Sequence, residues 1–295
     1  MTPTSPRDVL RSAYDGFEFP PCFFGFHDFV VDLARTHGID FGSCAMQVRL
    51  GSAFDVFSAG FLEKGFDPAR PSRYPADPPE FLTVIHGPSG GLHWGYYCED
   101  RRRPELFVAS YFHSDPLSLE VDGWSIFEAM RGFLERMVVD NRDYLDTDGD
   151  PFYRDQLAEL DTVRSVLVTY DTGDRPETGS EYLDRYVTTL SPPTARTRDG
   201  IGIRVDPSLY RPLSNARDFT RAAFHPPPEE ASTAQAEALH LLKQGFPGAA
   251  FKLGKDLWCY EDHRARAVEL LRAAYVALDR TYLLPNLEVA AELNR

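Results

Sequence analysis

The residues with the most chemistry to offer are gathered in Phe251–His263, FKLGKDLWCYEDH. Asp256, Glu261 and Asp262 bring carboxylates, Cys259 a thiol, Tyr260 a phenol and His263 an imidazole, enough for a nucleophile or an acid–base pair. The spacing predicts a Gly254-Lys255-Asp256 turn before the apolar trio Leu257, Trp258 and Cys259. One helix should follow at once, with Val268, Leu271, Tyr275, Leu278 and Tyr282 facing inward. Such a turn under aromatics is a structural corner or the floor of a site. Cys259, between Trp258 and Tyr260, reads more simply as a buried thiol than as a nucleophile. Glu261 and Asp262 have a ready structural role as acids at the start of a helix.

Other chemistries find less support. Asp146-Thr147-Asp148-Gly149-Asp150 has the acids of a calcium loop, but setting Gly149 as its sixth position puts Tyr144 first, where a carboxylate is needed. It reads as a solvated acidic turn. Gly87, Gly90 and Gly91 lack the lysine and helix of a phosphate loop and suit a hairpin turn. The histidines show no HxH or HExxH spacing, so no metal site is expected. No GxSxG elbow is present.

The 295 residues exceed the usual span of one core, so two packed domains are expected, cut near 140–150 as residues 1–145 and 146–295. Four well-separated cysteines without CxxC spacing predict reduced thiols, and no signal-like start or membrane-length apolar run is visible; a cytoplasmic protein is expected. Only four of the 31 basic residues are lysine, as suits a GC-rich bacterial source. A net charge of −14 argues against general nucleic-acid binding, which needs a basic face; the strongest basic cluster is Arg101–Arg103, on a loop. The charge favours a basic protein partner instead.

The elements that must carry these residues read as α+β. Helical spacing marks Pro6–Tyr14 and Pro20–Arg35, with Phe24, Phe29 and Leu33 toward one core. Ala45–Phe57 alternates like a strand. Gly60–Ala76 is a loop. Phe81–His86 and Leu92–Cys98 form a hairpin, Leu106–Tyr111 a third strand, and Ser125–Val138 a closing helix. Asp140–Asp150 is an acidic connector. Beyond it, Phe152–Thr162 and Glu181–Tyr186 read as helical or irregular, and Val163–Tyr170 and Ile201–Val205 as strands. Helices are expected over Arg217–Phe224 and Glu229–Gln244, divided by Pro226-Pro227-Pro228 and ended before Gly248. The first domain is thus a helix and antiparallel-sheet unit, and the second a mixed α/β unit with a long terminal helix.

Two blocks are too specific for generic packing. One is Asp77-Pro78-Pro79-Glu80-Phe81 leading to His93-Trp94-Gly95-Tyr96-Tyr97. The other is Leu253-Gly254, Asp256-Leu257, Cys259-Tyr260 and His263. In this order they resemble the histone PARylation factor family, accessory proteins that complete the active site of nuclear poly(ADP-ribose) polymerases. Weaker matches are Phe54-Asp55 with Ala59-Gly60, and Tyr210-Arg211.

The resemblance implies a partner-docking role for Tyr210 and Arg211, in Val205–Leu213, and a scaffold role for Asp256, Cys259, Tyr260 and His263. It also implies an Asp-Glu pair before the LGxD block, the glutamate acting as general base for an acceptor serine that attacks the ribose of NAD. Counting back from Leu253-Gly254 puts that pair on Lys243-Gln244, neither of which serves as a base. Glu229, Glu230 and Glu237 lie too early to replace it. No cofactor is therefore expected on the chain itself, NAD arriving only through a partner transferase. The leading expectation is a protein-binding module without catalysis of its own. The alternatives are an accessory factor for serine ADP-ribosylation that takes a carboxylate from elsewhere, and an acidic immunity protein masking a basic toxin. The last rests on the charge and on a loose likeness to SUKH-type immunity proteins.

Overall fold

The computed structural model describes residues 5–58, 72–102, 106–113, 115–171, 195–214, 219 and 225–293. Ala59-Gly60, Arg103, Glu181–Tyr186 and all of the expected Arg217–Phe224 helix except Phe219 lie outside the described residues. Helix α1 (Pro6–Ala13) starts where the Ser5 hydroxyl accepts from the Asp8 N–H and Pro6 occupies the first turn. Helix α2 (Pro21–His37) ends at Gly38, whose φ of 69° lets the chain turn. Its buried face is Phe23, Phe26, Phe29 and Leu33; Phe24, expected inside, is half-buried.

The sheet is antiparallel, with its five strands side by side in chain order: β1 (Arg49–Leu50), β2 (Phe81–His86), β3 (Leu92–Tyr97), β4 (Phe107–Phe112) and β5 (Asp115–Gly123). The β2–β3 hairpin turns through Gly90 and Gly91, both at positive φ, as their spacing foretold. The strand expected over Ala45–Phe57 shrinks to β1, because Ser52–Phe57 winds into a 3₁₀ turn. Strand β5 was not foreseen. The outer edge of β5 is met by later chain, the Leu119 N–H donating to the Asp199 carbonyl.

Helix α3 (Ile126–Asp148) is capped by the Ser125 hydroxyl and runs on through the expected acidic connector and past the expected cut at 145. It stops at Gly149, φ 69°, and α4 (Pro151–Tyr170) starts at once with Asp150 accepting from the Phe152 N–H. Val163–Tyr170 is therefore helical, contrary to the expected strand. Its β-branched residues favour a strand, but Leu160, Val163, Val166 and Leu167 recur at helical intervals and all enter the core under α2 and α3.

The C-terminal part contains helices α5 (Pro228–Lys243), α6 (Pro247–Trp258), α7 (Arg264–Ala277) and α8 (Leu284–Leu293). No strand is found there among the described residues. Ile201–Val205 forms no strand: Gly202 takes φ 84°, the Ile203 N–H donates to the Ala195 carbonyl, and three further donors go to side chains. Asp199 accepts from the Ile201 N–H, Thr197 from Gly202, and Glu99 from Arg204. The long terminal helix is also two helices. Asp279 takes φ 58°, the Asp279 N–H donates to Val276 and the Arg280 N–H reaches back to Tyr275, a left-handed stop that Asp tolerates.

The expected Gly254-Lys255-Asp256 turn is the middle of α6. Gly254 sits there because a Cβ would lie 2.8 Å from Cγ and Cδ2 of the fully buried Leu271 on α7. Alanine would gain about 1 kcal/mol in helix propensity, but overpacking costs about 1–3 kcal/mol. Gly254→Ala should therefore lower the thermal midpoint; an unchanged or higher midpoint would show that the α6–α7 contact has slack.

Apolar residues collect in three clusters. One lies between α1–α4 and one face of the sheet, and one lies among α5–α8. The third covers the opposite sheet face with Phe81, Tyr97, Phe107, Ala109, Tyr111 and Ile201.

Candidate functional site

The two distinctive sequence blocks meet. Residues 75–80, leading into β2, are held by three C-terminal helices. Trp258 Nε1 donates to the Ala76 carbonyl at 2.9 Å, Arg264 to Pro75 at 3.1 Å, Asn286 to Pro79 at 2.9 Å, and the Tyr275 hydroxyl to Glu80 at 2.6 Å. Asp77, fully buried, turns inward to the sheet. It accepts from His93 Nε2 at 2.8 Å, the Thr83 hydroxyl at 2.7 Å, the Tyr74 N–H at 3.0 Å and the Tyr111 hydroxyl. Burial alone would raise its carboxyl, but the His93 charge and hydrogen bond, with Arg73 and Tyr111, hold it below the ordinary carboxylate range.

Charged groups of the FKLGKDLWCYEDH stretch are likewise committed. Lys255 Nζ donates to the Tyr97 hydroxyl and the Gly202 carbonyl and pairs with Asp199 at 3.2 Å. Burial would lower Lys255, yet the Asp199, Glu80 and Glu99 carboxylates outweigh it and hold the ammonium above its ordinary value. Asp256 accepts from the Arg198 N–H at 2.9 Å and Lys252 Nζ at 2.7 Å, and burial lifts its carboxyl above the usual range. Burial pushes the half-buried Cys259 thiol up to about 12, which removes it as a nucleophile near neutral pH. The Tyr260 ring lies under the Arg198 guanidinium, 4.8 Å away, and His263 Nε2 meets the Pro226 carbonyl at 2.7 Å. The cavity between the two blocks, lined by Glu80, Tyr111, Asp199, Lys255 and Cys259, is about 10 Å³. That is room for about one water and for no substrate. Asp256, Cys259, Tyr260 and His263 form a filled corner.

The surface worth reading as a site lies at the other end of α6. Helix α5 ends at Gln244 and Gly245 takes φ 92°; the Phe246 N–H reaches the Leu241 carbonyl and the Gly245 N–H that of Leu242. This six-to-one and five-to-two pairing is the glycine stop expected before Gly248, and Pro247 opens α6. Tyr210-Arg211 lies across this turn. The Arg211 guanidinium stands 4.3 Å from the centre of the Phe246 ring, and a Cβ on Gly248 would meet Tyr210 Cδ2 at 3.0 Å. Arg211, Lys243 and Gln244 are exposed and Tyr210 half-buried. The Gln244 amide bonds the His240 imidazole at 2.8 Å, one helical turn back. Glu237 accepts from both the N–H and the hydroxyl of Ser214, tying down the chain that leaves Arg211.

Sequence reasoning named the Tyr210-Arg211 pair and Gln244, and the fold sets the pair on Phe246 and Gly248, just past Gln244. It missed the clamp by Glu237 and the buried Glu99–Arg280 pair at 2.8 Å. Neither has a spacing signal, since their partners are 23 and 181 positions distant.

No helix among the described residues is long and apolar enough to cross a membrane. No curated protein matches the chain. A family model described as Histone PARylation factor 1 matches residues 7–165, just over half of its length. The match takes in the DPPEF and HWGYY segments, while Tyr210-Arg211, Lys243-Gln244 and the α6 motif lie beyond it. With the DPPEF block packed against the very helices that carry the second block, the chain belongs to the Histone PARylation factor 1 family.

Proposed function

We propose that this protein is a PARylation accessory factor that docks on an ADP-ribosyltransferase through Tyr210, Arg211 and the α5–α6 turn, without supplying a general base. The observation that carries the reading is the packing of Tyr210-Arg211 across the turn that bears Gln244. Tyrosine and arginine are the residue types that dominate binding energy, one as an amphipathic anchor and the other as a planar donor fork. Here the loop behind them is pinned by Glu237, which lowers the entropy lost on docking. NAD would be held by the transferase. A base at position 244 would take the proton of an acceptor serine; glutamine has no such capacity.

The test is binding to an immobilised poly(ADP-ribose) polymerase catalytic domain. Tyr210→Ala/Arg211→Ala should lose about 2 kcal/mol or more, roughly 30-fold in Kd, with an unchanged circular dichroism spectrum. Equal affinity of the variant and the parent would remove this surface from the interface. Serine modification stimulated by the unaltered protein would instead favour a carboxylate from elsewhere.

A further inference from the structure

The end of the α6 motif meets the start of α5 at a cluster that no sequence spacing announces. His225 Nε2 lies 2.9 Å from Asp262 Oδ2, and His263 Nε2 lies 3.8 Å from the same oxygen. One ligand atom from each of the three side chains falls within 4.8 Å of the others. The His225 and His263 rings are 5.7 Å apart and tilted by only 30°. We propose that His225, Asp262 and His263 bind a divalent zinc ion.

The distances suit zinc. With ligand bonds of about 2.0–2.2 Å, neighbouring donors of a tetrahedral ion stand about 3.3 Å apart. The His225–Asp262 pair would open by about 0.4 Å and the Asp262–His263 pair close by about 0.5 Å, within reach of small side-chain rotations. Two imidazoles and one carboxylate form a borderline donor set that favours zinc over calcium or magnesium, which take oxygen ligands. A fourth ligand is at hand once the bond opens to ligand spacing: the Pro226 carbonyl oxygen lies 2.7 Å from His263 Nε2.

Backbone rigidity supports the site from both sides. Asp262 and His263 are consecutive in the 3₁₀ turn Glu261–His263 that joins α6 to α7. His225 is followed by Pro226-Pro227-Pro228, whose fixed φ angles restrict where its Cα can go. His263 is fully buried as an anchor, whereas the side chains of His225 and Asp262 are 62% and 51% exposed, leaving the ion an open path.

One group opposes the ion. Arg266 stands 3.5 Å from His263 Nδ1. In the metal-free state Nε2–H donates to Pro226 and Nδ1 accepts from Arg266. When zinc takes Nε2, the imidazole proton moves to Nδ1, facing the guanidinium. Replacing Arg266 by glutamine removes the opposing charge.

The test is titration of chelator-stripped full-length protein with Zn²⁺ by calorimetry, and with Co²⁺ by visible absorption to read coordination. One tetrahedral ion should bind per chain. His225→Ala and Asp262→Asn, both at exposed positions, should each weaken binding about tenfold or more, roughly 1.4 kcal/mol, and Arg266→Gln should tighten it. The proposal is overturned if no ion binds, if both ligand variants bind as well as the parent, if Ca²⁺ or Mg²⁺ competes equally, or if Arg266→Gln fails to tighten binding.

Discussion

If the proposed docking on a transferase holds, Gln244→Glu combined with Lys243→Asp is expected to bring a general base to the complex. In a reaction of NAD, a poly(ADP-ribose) polymerase and a serine-bearing histone peptide, this variant should raise serine ADP-ribosylation by about 10²-fold or more. The figure is the low end for a positioned general base. Position 244 is already suited to a carboxylate. It caps α5 beside an αL glycine, is exposed, and has His240 one turn back, within hydrogen-bond reach of its side chain. Tyr210 and Arg211 keep their packing on Phe246 and Gly248, which the two substitutions leave in place. Mass-spectrometric mapping of the acceptor residue is the measurement. Modification left on acidic side chains, at the parent's rate, would mean that this turn does not face the transferase site. Loss of binding in Tyr210→Ala/Arg211→Ala together with such a result would keep the docking reading while removing the active-site placement.

Arg280→Ala should be the most damaging single change to stability. Arg280 is 2% exposed and reaches Glu99 at 2.8 Å, Asp100 at 3.5 Å and the Arg204 carbonyl, with its guanidinium 5.1 Å from the Phe251 ring. Removing the cation deletes the 2.8 Å ion pair of Glu99, itself 4% exposed, which keeps the Arg204 N–H and the more distant Lys255 charge. Breaking a buried pair from one side costs about 3–5 kcal/mol, and the lost packing adds to it. The urea midpoint should fall accordingly. Adding Glu99→Gln should recover part of the loss, because the pair acts as a unit. If the two losses simply sum, the pair contributes little coupling.

The contrast between what was readable and what was not follows from range. The β2–β3 hairpin was plain because Gly90 and Gly91 must supply positive φ and the flanking residues alternate. The α5 stop at Gly245 was plain for the same reason. Val163–Tyr170 was misread because β-branched composition was weighed above a helical interval that continues from Leu160. The terminal helix was read as one because Asp279 carries no breaker signal; only the completed backbone pairing to Tyr275 and Val276 ends it. At the site, family resemblance supplied Tyr210, Arg211 and Gln244 as isolated positions. Their adjacency depends on the loop folding back over α6. The α6 motif misled in the opposite sense, since Asp256, Lys255 and Cys259 look reactive in one dimension and are each satisfied or desolvated in three.

The sheet's margins carry a consequence for recognition. At one side β1 offers only two residues, and at the other the Leu119 N–H of β5 is already taken by Asp199. Among the described residues an incoming peptide therefore meets a two-residue strand at one edge and a partly occupied one at the other, which disfavours strand addition there. Selectivity must come from side chains on turns, where one substitution rewrites the partner preference without disturbing the frame.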